Sequence, residues 1–581
     1  MKSVEVWPLT TKRLISKSSG VGRVRRDLCR SSQPIKRRQH FHAAAAECSF
    51  FAAQPVTFEP IPRDRKATVT AVLQRVDVAV SPDASASRPL LPTVVRWAVY
   101  VLGITALACY LVVVITSLHN RLGLNHVDGA WLNLAQEERR GLLPPPLAAD
   151  GYYGGTRYQP LPIAMLAALG SLLGDDIAAG RLINLVSFGA AIAVAAFWMW
   201  RARVTPPVIV TLLLLAAATE ASWHAMITIR SDALPAALQL AAVGLLALQR
   251  GRPTRAALIV SAALAGAAPA IKLTSLWALI AVLLSLAFQR QWREAGVVVR
   301  AALVSFGCLF MPFVIASRGY VLTELRAASV SNEDPLWRID RGLLNLSYYS
   351  SRNDVVTIGL LAAAAALVLL ALHQRRGNLL HLATALAFAQ ILIISADRGI
   401  GPNQLIDIVL LAVVLVGVEM SRGLRTLTDP TATELVALVA VLVLAVSGIL
   451  LQWNHGPVVS ALRGQEAPDA VRDPLAALVT PGTPLLSEDP GLPAIRGERA
   501  VVGDAFMFRR LAAQRPAWSA DLIRRVQAHE FGAIVLLKER GRGAYWYASI
   551  HFGTSVHSAI LENYRLDRIL ANGQLLYLPK R

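Results

Sequence analysis

Six charged side chains, Asp128, Arg157, Arg230, Asp232, Lys272 and Arg398, stand at the borders of long apolar runs or in the polar stretches between them. In so apolar a chain they invite explanation, because a charge at the centre of a bilayer costs roughly 2.5–3.5 kcal/mol on insertion scales and is retained for function or pairing. Asp128, in HVDGAW, opens a segment with Val127, Trp131, Leu134 and Ala135 on one helical face and Asn133, Glu137 and Arg140 facing away. Such a helix is expected to lie along a membrane surface and hold the carboxylate at the water interface. A plain helix N-cap would use the same residue. Arg230, in IRSDAL, offers the planar fork that binds phosphate, with Asp232 as the cap of the next helix. For Lys272 and Arg398 the plain alternative is a snorkelling side chain marking a helix end.

The stretch that must position these groups is 119–162, polar, aromatic and rich in Pro and Gly, with Tyr152, Tyr153, Arg157 and Tyr158 ahead of Pro160 and Pro162. Its surroundings are membrane-like: 54% of the 581 residues are hydrophobic, which excludes a soluble multidomain protein and predicts a polytopic one. About half of the net charge of +20 lies before residue 97 and much of the rest in short loops, the distribution of positive-inside topology rather than of a nucleic-acid binder. Residues 1–93 read as a basic, largely disordered cytoplasmic tail, of which 1–66 have a composition like that of an organellar transit peptide. Cys29 and Cys48 fall in that tail and Cys109 and Cys308 in apolar runs, so no disulfide is expected. No CxxC or HExxH motif occurs, and His224 and His455 read as interfacial polar residues.

The first span is 94–118. At about 14 residues, 161–174 is too short to cross and reads as an interfacial or re-entrant helix; the arginines after the next span, Arg201 and Arg203, then fall in the cytoplasm. Spans near 182–200, 208–221, 233–249, 256–271, 273–288, 296–317, 354–372, 379–395, 404–420 and 434–452 alternate from there, about eleven helices in all. On this reading 94–452 is the membrane domain, with a first outer loop at 119–181 and a second at 318–353 carrying Glu324, Glu333, Asp334, Asp340, Trp337, Tyr348 and Tyr349. Residues 453–581 form a small extracytoplasmic α/β domain, with strands at 483–487, 533–537 and 574–578 and helices at 519–530 and 554–563.

Residues 94–581 resemble the GT-C superfamily of integral-membrane glycosyltransferases, in particular the bacterial relatives of dolichyl-phosphate-mannose protein mannosyltransferases. The similarity lies in the acid of HVDGAW, in RYQPLPIAMLAALGSLLGDD followed by Arg181, in IRSDAL, in Lys272 of AIKLTSL, and in the terminal HEFGAIVLL, ENYRL and LLYLPK. Where that family often carries paired acids, Asp128 is followed by Gly129 and Ala130, and its Tyr-Pro-Pro reads Tyr158-Gln159-Pro160 here. The resemblance implies an inverting transfer of sugar from a polyprenyl-phosphate donor to an acceptor hydroxyl on a glycan, lipid or protein, at the outer face of a bacterial inner membrane. It implies Asp128 as general base, Arg230, Lys272 and Arg157 on the donor phosphate, and Tyr158, Asp232 and Trp131 against the substrate. No cofactor is certain, and a divalent cation is left open. The other readings are a transporter or flippase of a lipid-linked or anionic solute, and a scaffold for envelope partners.

Overall fold

Hydropathy and helix run together in the computed structural model, which describes residues 124–141, 146–149, 151–249, 251–330, 355–396, 401–424, 482–537, 546–570 and 573–580, with isolated positions among 97–118, 342–343, 439–443 and 475–480. The first loop holds α1 (His126–Arg139), a hairpin of β1 (Ala148–Ala149) and β2 (Tyr152–Tyr153), and α2 (Pro160–Leu173). The bundle follows: α3 (Asp176–Arg201), α4 (Pro206–Ala217), α5 (Glu220–Ile227), α6 (Ala233–Ala247), α7 (Arg255–Ile271), α8 (Trp277–Phe288), α9 (Trp292–Ala316), α10 (Tyr320–Val330), α11 (Val355–His373), α12 (Leu379–Ile394) and, after a 3-10 turn (Pro402–Leu405), α13 (Ile406–Leu424).

Among the described residues α3, α9, α11 and the 402–423 stretch are each long and apolar enough to cross a membrane, as are α4 and α5 if their 70° bend is counted within one span. The short apolar helices are α2, α6, α7, α8 and α12. The expected spans at 94–118 and 434–452 lie largely outside the described residues. Two stretches of small residues, 208–221 and 256–271, resolve differently. The first breaks at Ala218 and Thr219; the second is one helix, in which a Cβ on Gly266 would meet the Ala302 carbonyl oxygen at 2.3 Å, so α7 and α9 approach through a bare backbone. α2 spans about 21 Å at 1.5 Å per residue, short of the hydrocarbon core.

At the centre is α13, buried on every side from Ile406 through Leu415. Its unbroken apolar run, IVLLAVVLV, has no polar face to turn outward, which is the pattern of a fully enclosed helix.

The C-terminal domain contains β3 (Leu485–Ser487), α14 (Gly491–Ile495), α15 (Ala505–Gln514), α16 (Pro516–Gln527), β4 (Ala533–Leu536), α17 (Trp546–Ile550), α18 (Thr554–Asn563), β5 (Tyr564–Ile569) and β6 (Leu575–Pro579). Strand order is β3-β4-β6-β5, with β3 and β4 parallel and the other pairs antiparallel. All of β4 is buried, and Phe508, Leu522, Phe531, Phe552 and Ile560 fill the core. This domain sits directly on the first loop: α14 packs against α1, and Tyr153 bridges to Val502.

Candidate active site

Four distant stretches meet at the loop end of the bundle: the start of α1, the 228–232 link between α5 and α6, Lys272 at the end of α7, and Asn403 in the turn before α13. Asn125, not Asp128, is the N-cap of α1. Its side-chain oxygen accepts from Val127 N at 2.9 Å and Asp128 N at 3.2 Å, while Asp128, at the third helical position, accepts back from Asn125 N at 3.0 Å. This capping box corrects the reading of Asp128 as a simple cap. One carboxylate oxygen secures the helix start, and the other accepts from Ile229 N at 3.3 Å and lies 3.4 Å from Arg230 Nε. Asp128 is wholly buried.

Arg230 carries the path onward, Nη2 donating to Asn125 Oδ1 at 2.6 Å and Nη1 to Asn403 Oδ1 at 3.4 Å. Asn403 Nδ2 donates to one oxygen of Asp232, and the other holds Lys272 Nζ at 2.6 Å. Asp232 occupies the N-cap position of α6 yet makes no capping hydrogen bond, so it pairs rather than caps. Burial pushes its carboxyl upward, but Lys272, Arg230 and Asn403 outweigh that and hold it below the usual aspartate value. Two acids and two cations therefore share one path without net charge, as burial requires: an unmatched member would cost several kcal/mol in desolvation. The link is held from α3, where Arg181 Nε donates to Ile227 O at 2.8 Å and Asn184 to Thr228 O. Gly180 leaves no alternative there, since a Cβ would come within 2.3 Å of Ile229 Cγ2.

Beside this network the Trp131 and Tyr158 rings lie 5.1 Å apart. The Arg157 guanidinium sits 4.4 Å from the Phe506 ring of α15, and its Nη2 donates to the Tyr158 hydroxyl at 3.4 Å. Of the residues singled out from sequence, Asp128, Arg230, Asp232 and Lys272 thus join one network, while Arg157, Tyr158 and Trp131 form a layer next to it. Arg398 and the 331–341 acids lie outside the described residues. Glu324, expected in an outer loop, is on α10 and buried; it accepts from Thr156 N at 3.0 Å, and burial pushes its carboxyl up to about 7. Asp175 caps α3, and Asp176 pairs with Arg139.

Most of the polar face of α1 does not meet water, Arg139 and Arg140 at its end staying exposed. Asn133 and Glu137 are buried, Arg499 reaches Glu137 at 2.9 Å, and Gln136 donates to Ala494 O at 2.7 Å. The helix expected on a membrane surface is instead enclosed by the C-terminal domain, because Glu137 and Gln136 find partners there. The fit is tightest at Gly129, where a Cβ would meet Asp489 Oδ1 at 2.1 Å and Gly491 N at 2.5 Å. The carboxylate of Asp489 thus lies where a side chain at 129 would begin, and burial, with Asp128 adding to it, pushes Asp489 up to about 6. His126 lies 4.8 Å, ring to ring, from the buried His551, and burial, then His551, Arg230 and Arg157, hold it well below the usual histidine value.

Three further groups escaped the sequence reading. Asp407 accepts from Trp277 Nε1 at 3.1 Å and Gln239 Nε2 at 3.3 Å; a lone acid inside LIDIVLL was its signal. Asn403 carries no charge and gave none. Gln159, at the start of α2, is buried with neither amide atom hydrogen-bonded, and Trp131 Nε1 is likewise without an acceptor. Among the described residues no group of three or more His, Cys, Asp or Glu side chains converges on a cation site.

No family model matches the sequence, and no curated protein matches it. Solved structures do. ArnT from Cupriavidus metallidurans in the apo state is similar with TM-score 0.52 and 14% identity over 83% of this chain and 98% of that one. ArnT bound to undecaprenyl phosphate is similar with TM-score 0.55 and 15% identity over 82% and 97%. The apo Archaeoglobus fulgidus oligosaccharyltransferase gives TM-score 0.45 and 12% identity over 82% and 74%. The fold is that seen in ArnT, a multi-pass bundle of apolar helices carrying a small C-terminal sheet domain.

Proposed function

We propose that the chain is a glycosyltransferase that takes a sugar from a polyprenyl-phosphate donor and passes it, with inversion, to an acceptor hydroxyl at the extracytoplasmic face. The observation that carries this reading is the buried Asp128–Arg230–Asn403–Asp232–Lys272 path at the loop end of a fold shared with a protein crystallised with undecaprenyl phosphate. In the step, the acceptor oxygen bonds to the anomeric carbon as the bond from that carbon to the phosphate oxygen breaks. The hydroxyl proton goes to Asp128, and polyprenyl phosphate leaves with the bonding pair. Asp128 has capacity for this, since a carboxylate offers about four lone-pair sites and its three recorded partners are Asn125, Ile229 and Arg230. Lys272 has three N–H donors, of which Asp232 takes one; with Arg230, and Arg157 from the neighbouring layer, it would neutralise charge growing on the leaving phosphate. Trp131, Tyr158 and the unsatisfied Gln159 amide offer ring faces and hydrogen bonds to sugar hydroxyls, and Asp232 keeps Lys272 in place.

The test is transfer by purified protein with a panel of undecaprenyl-phosphate sugars and isolated membrane glycans and lipids as acceptors. The expected result is release of undecaprenyl phosphate together with a glycosylated acceptor of inverted anomeric configuration. Vesicle-to-vesicle or transbilayer movement of the intact donor without cleavage would replace the enzyme by a flippase.

A further inference from the structure

The other end of the bundle holds a second polar site. α3 runs from the loop end at Asp176 to Arg201, about 39 Å away at 1.5 Å per residue, and there a cavity of about 1100 Å³ opens between the ends of α3, α6, α8, α11, α12 and α13. Arg201, Arg203, Gln249, Gln289, His381 and Arg422 line it, and no Asp or Glu is among its described lining residues. Arg422 is paired with Glu419, whereas Arg201 and Arg203 meet no carboxylate among the described residues. His381 is buried, and its Nε2 makes no hydrogen bond but lies 3.7 Å from Glu419 Oε1. Apart from Ser285 and Asn378 the remaining walls are mostly apolar, Val282, Leu286, Val368 and Leu372 among them.

We propose that this cavity holds the phosphate head group of an anionic membrane lipid. Two guanidinium groups without a carboxylate partner among the described residues, Arg201 and Arg203, match a phosphate, which accepts paired N–H donors from the fork, and basic pockets between membrane helices are where anionic head groups bind. A second cleft of about 570 Å³ shares Trp198, Arg201, Leu248 and Gln249 with the first and continues between α3, α6 and α7 along Phe197, Leu245, Val260 and Leu264. It supplies an apolar bed for an acyl or prenyl chain leading out of a charged pocket, which a free anion would not need. Phe197 and Trp200 stand exposed at the same helix end with rings 5.9 Å apart, the placement of aromatic side chains at a membrane–water interface. Arginines that merely set topology need neither the cavity nor the cleft.

Native mass spectrometry of the full chain, exchanged into micelles containing dioleoyl phosphatidylglycerol, dioleoyl phosphatidylcholine or undecaprenyl phosphate, tests this without reference to any transfer activity. Wild type is expected to retain one phosphatidylglycerol, or one undecaprenyl phosphate beyond the molecule that the loop-end site takes, which identifies the source, and no phosphatidylcholine. Arg201→Gln/Arg203→Gln should weaken that retention at least tenfold. The control, Arg290→Gln/Arg293→Gln, removes two exposed arginines outside the cavity and should leave retention unchanged. Equal loss in both variants would mean a diffuse surface charge and overturn the proposal, as would retention of phosphatidylcholine or full displacement by inorganic phosphate.

Discussion

At the loop end Asp128 and Asp232 each meet a cation, at 3.4 Å and 2.6 Å, inside the protein; at the far end Arg201 and Arg203 line an open cavity that contains no described acid. The loop end is enclosed by a domain that buries α1 on both faces, so each charge there needs a partner that stays in place. The far end is open, where solvent screening makes unpaired arginines inexpensive. The contrast separates two uses of charge: a preorganised, paired network, to which the proposed function gives the chemistry, and an open basic surface, to which the second proposal gives the lipid head group. Arg203 makes the second use visible, since it ends α3 with a left-handed backbone (φ 64°) that glycine would adopt more cheaply.

Removing a partner at the enclosed end should have the largest effect. Lys272→Met strands Asp232 in the interior and should lower unfolding stability by about 3–5 kcal/mol, with part recovered in Lys272→Met/Asp232→Asn. A loss below about 1 kcal/mol in thermal unfolding would show that the pair is not truly desolvated. Next, Asp128→Asn should lower transfer at least a hundredfold, or about 2.7 kcal/mol of barrier, while donor binding persists. Asn at that position can still accept from Asn125 N and keep the start of α1, so wild-type turnover would leave Asp128 with a capping role alone.

A smaller effect tests the enclosure itself. Burial raises Glu324 from 4.5 to about 7, so the folded protein holds its proton more tightly than the unfolded chain does. Stability contributed at this site therefore falls as pH rises from about 4.5 to 7 and stays low above. The protection of the Thr156 amide, taken relative to its intrinsic base-catalysed exchange rate, should fall between pH 5 and pH 8 by an opening energy on the order of 1 kcal/mol, and Glu324→Gln should flatten that fall. A slope that survives the substitution would assign it to another group, with Asp489 the next to examine. Smallest of all, Arg201→Gln/Arg203→Gln should change unfolding stability by no more than about 0.5 kcal/mol. A loss comparable to that of Lys272→Met would erase the difference between the two ends.

The sequence by itself determined where most of the helices are and which charges stand at their borders. Hydropathy placed α3, α6–α9 and α11–α13, and β3, β4 and β6 fell where apolar runs of four or five residues stood between turn residues, because helix period, strand length and lipid compatibility are written in neighbouring residues; β5, mostly exposed and carrying Arg565, Asp567 and Arg568, was not foreseen. The cost of burying charge likewise marked Asp128, Arg230, Asp232 and Lys272. Only the tertiary structure decided how they connect. Arg230 meets Asn403 across 173 positions and Asn125 across 105, and an uncharged amide in a polar turn gives no local sign that it will bridge two ion pairs. The same distance in sequence hid the burial of α1. Its polar face reads as solvated until Arg499, 362 positions from Glu137, is brought against it, since an amphipathic pattern reports that a face is polar and not whether water or protein will satisfy it.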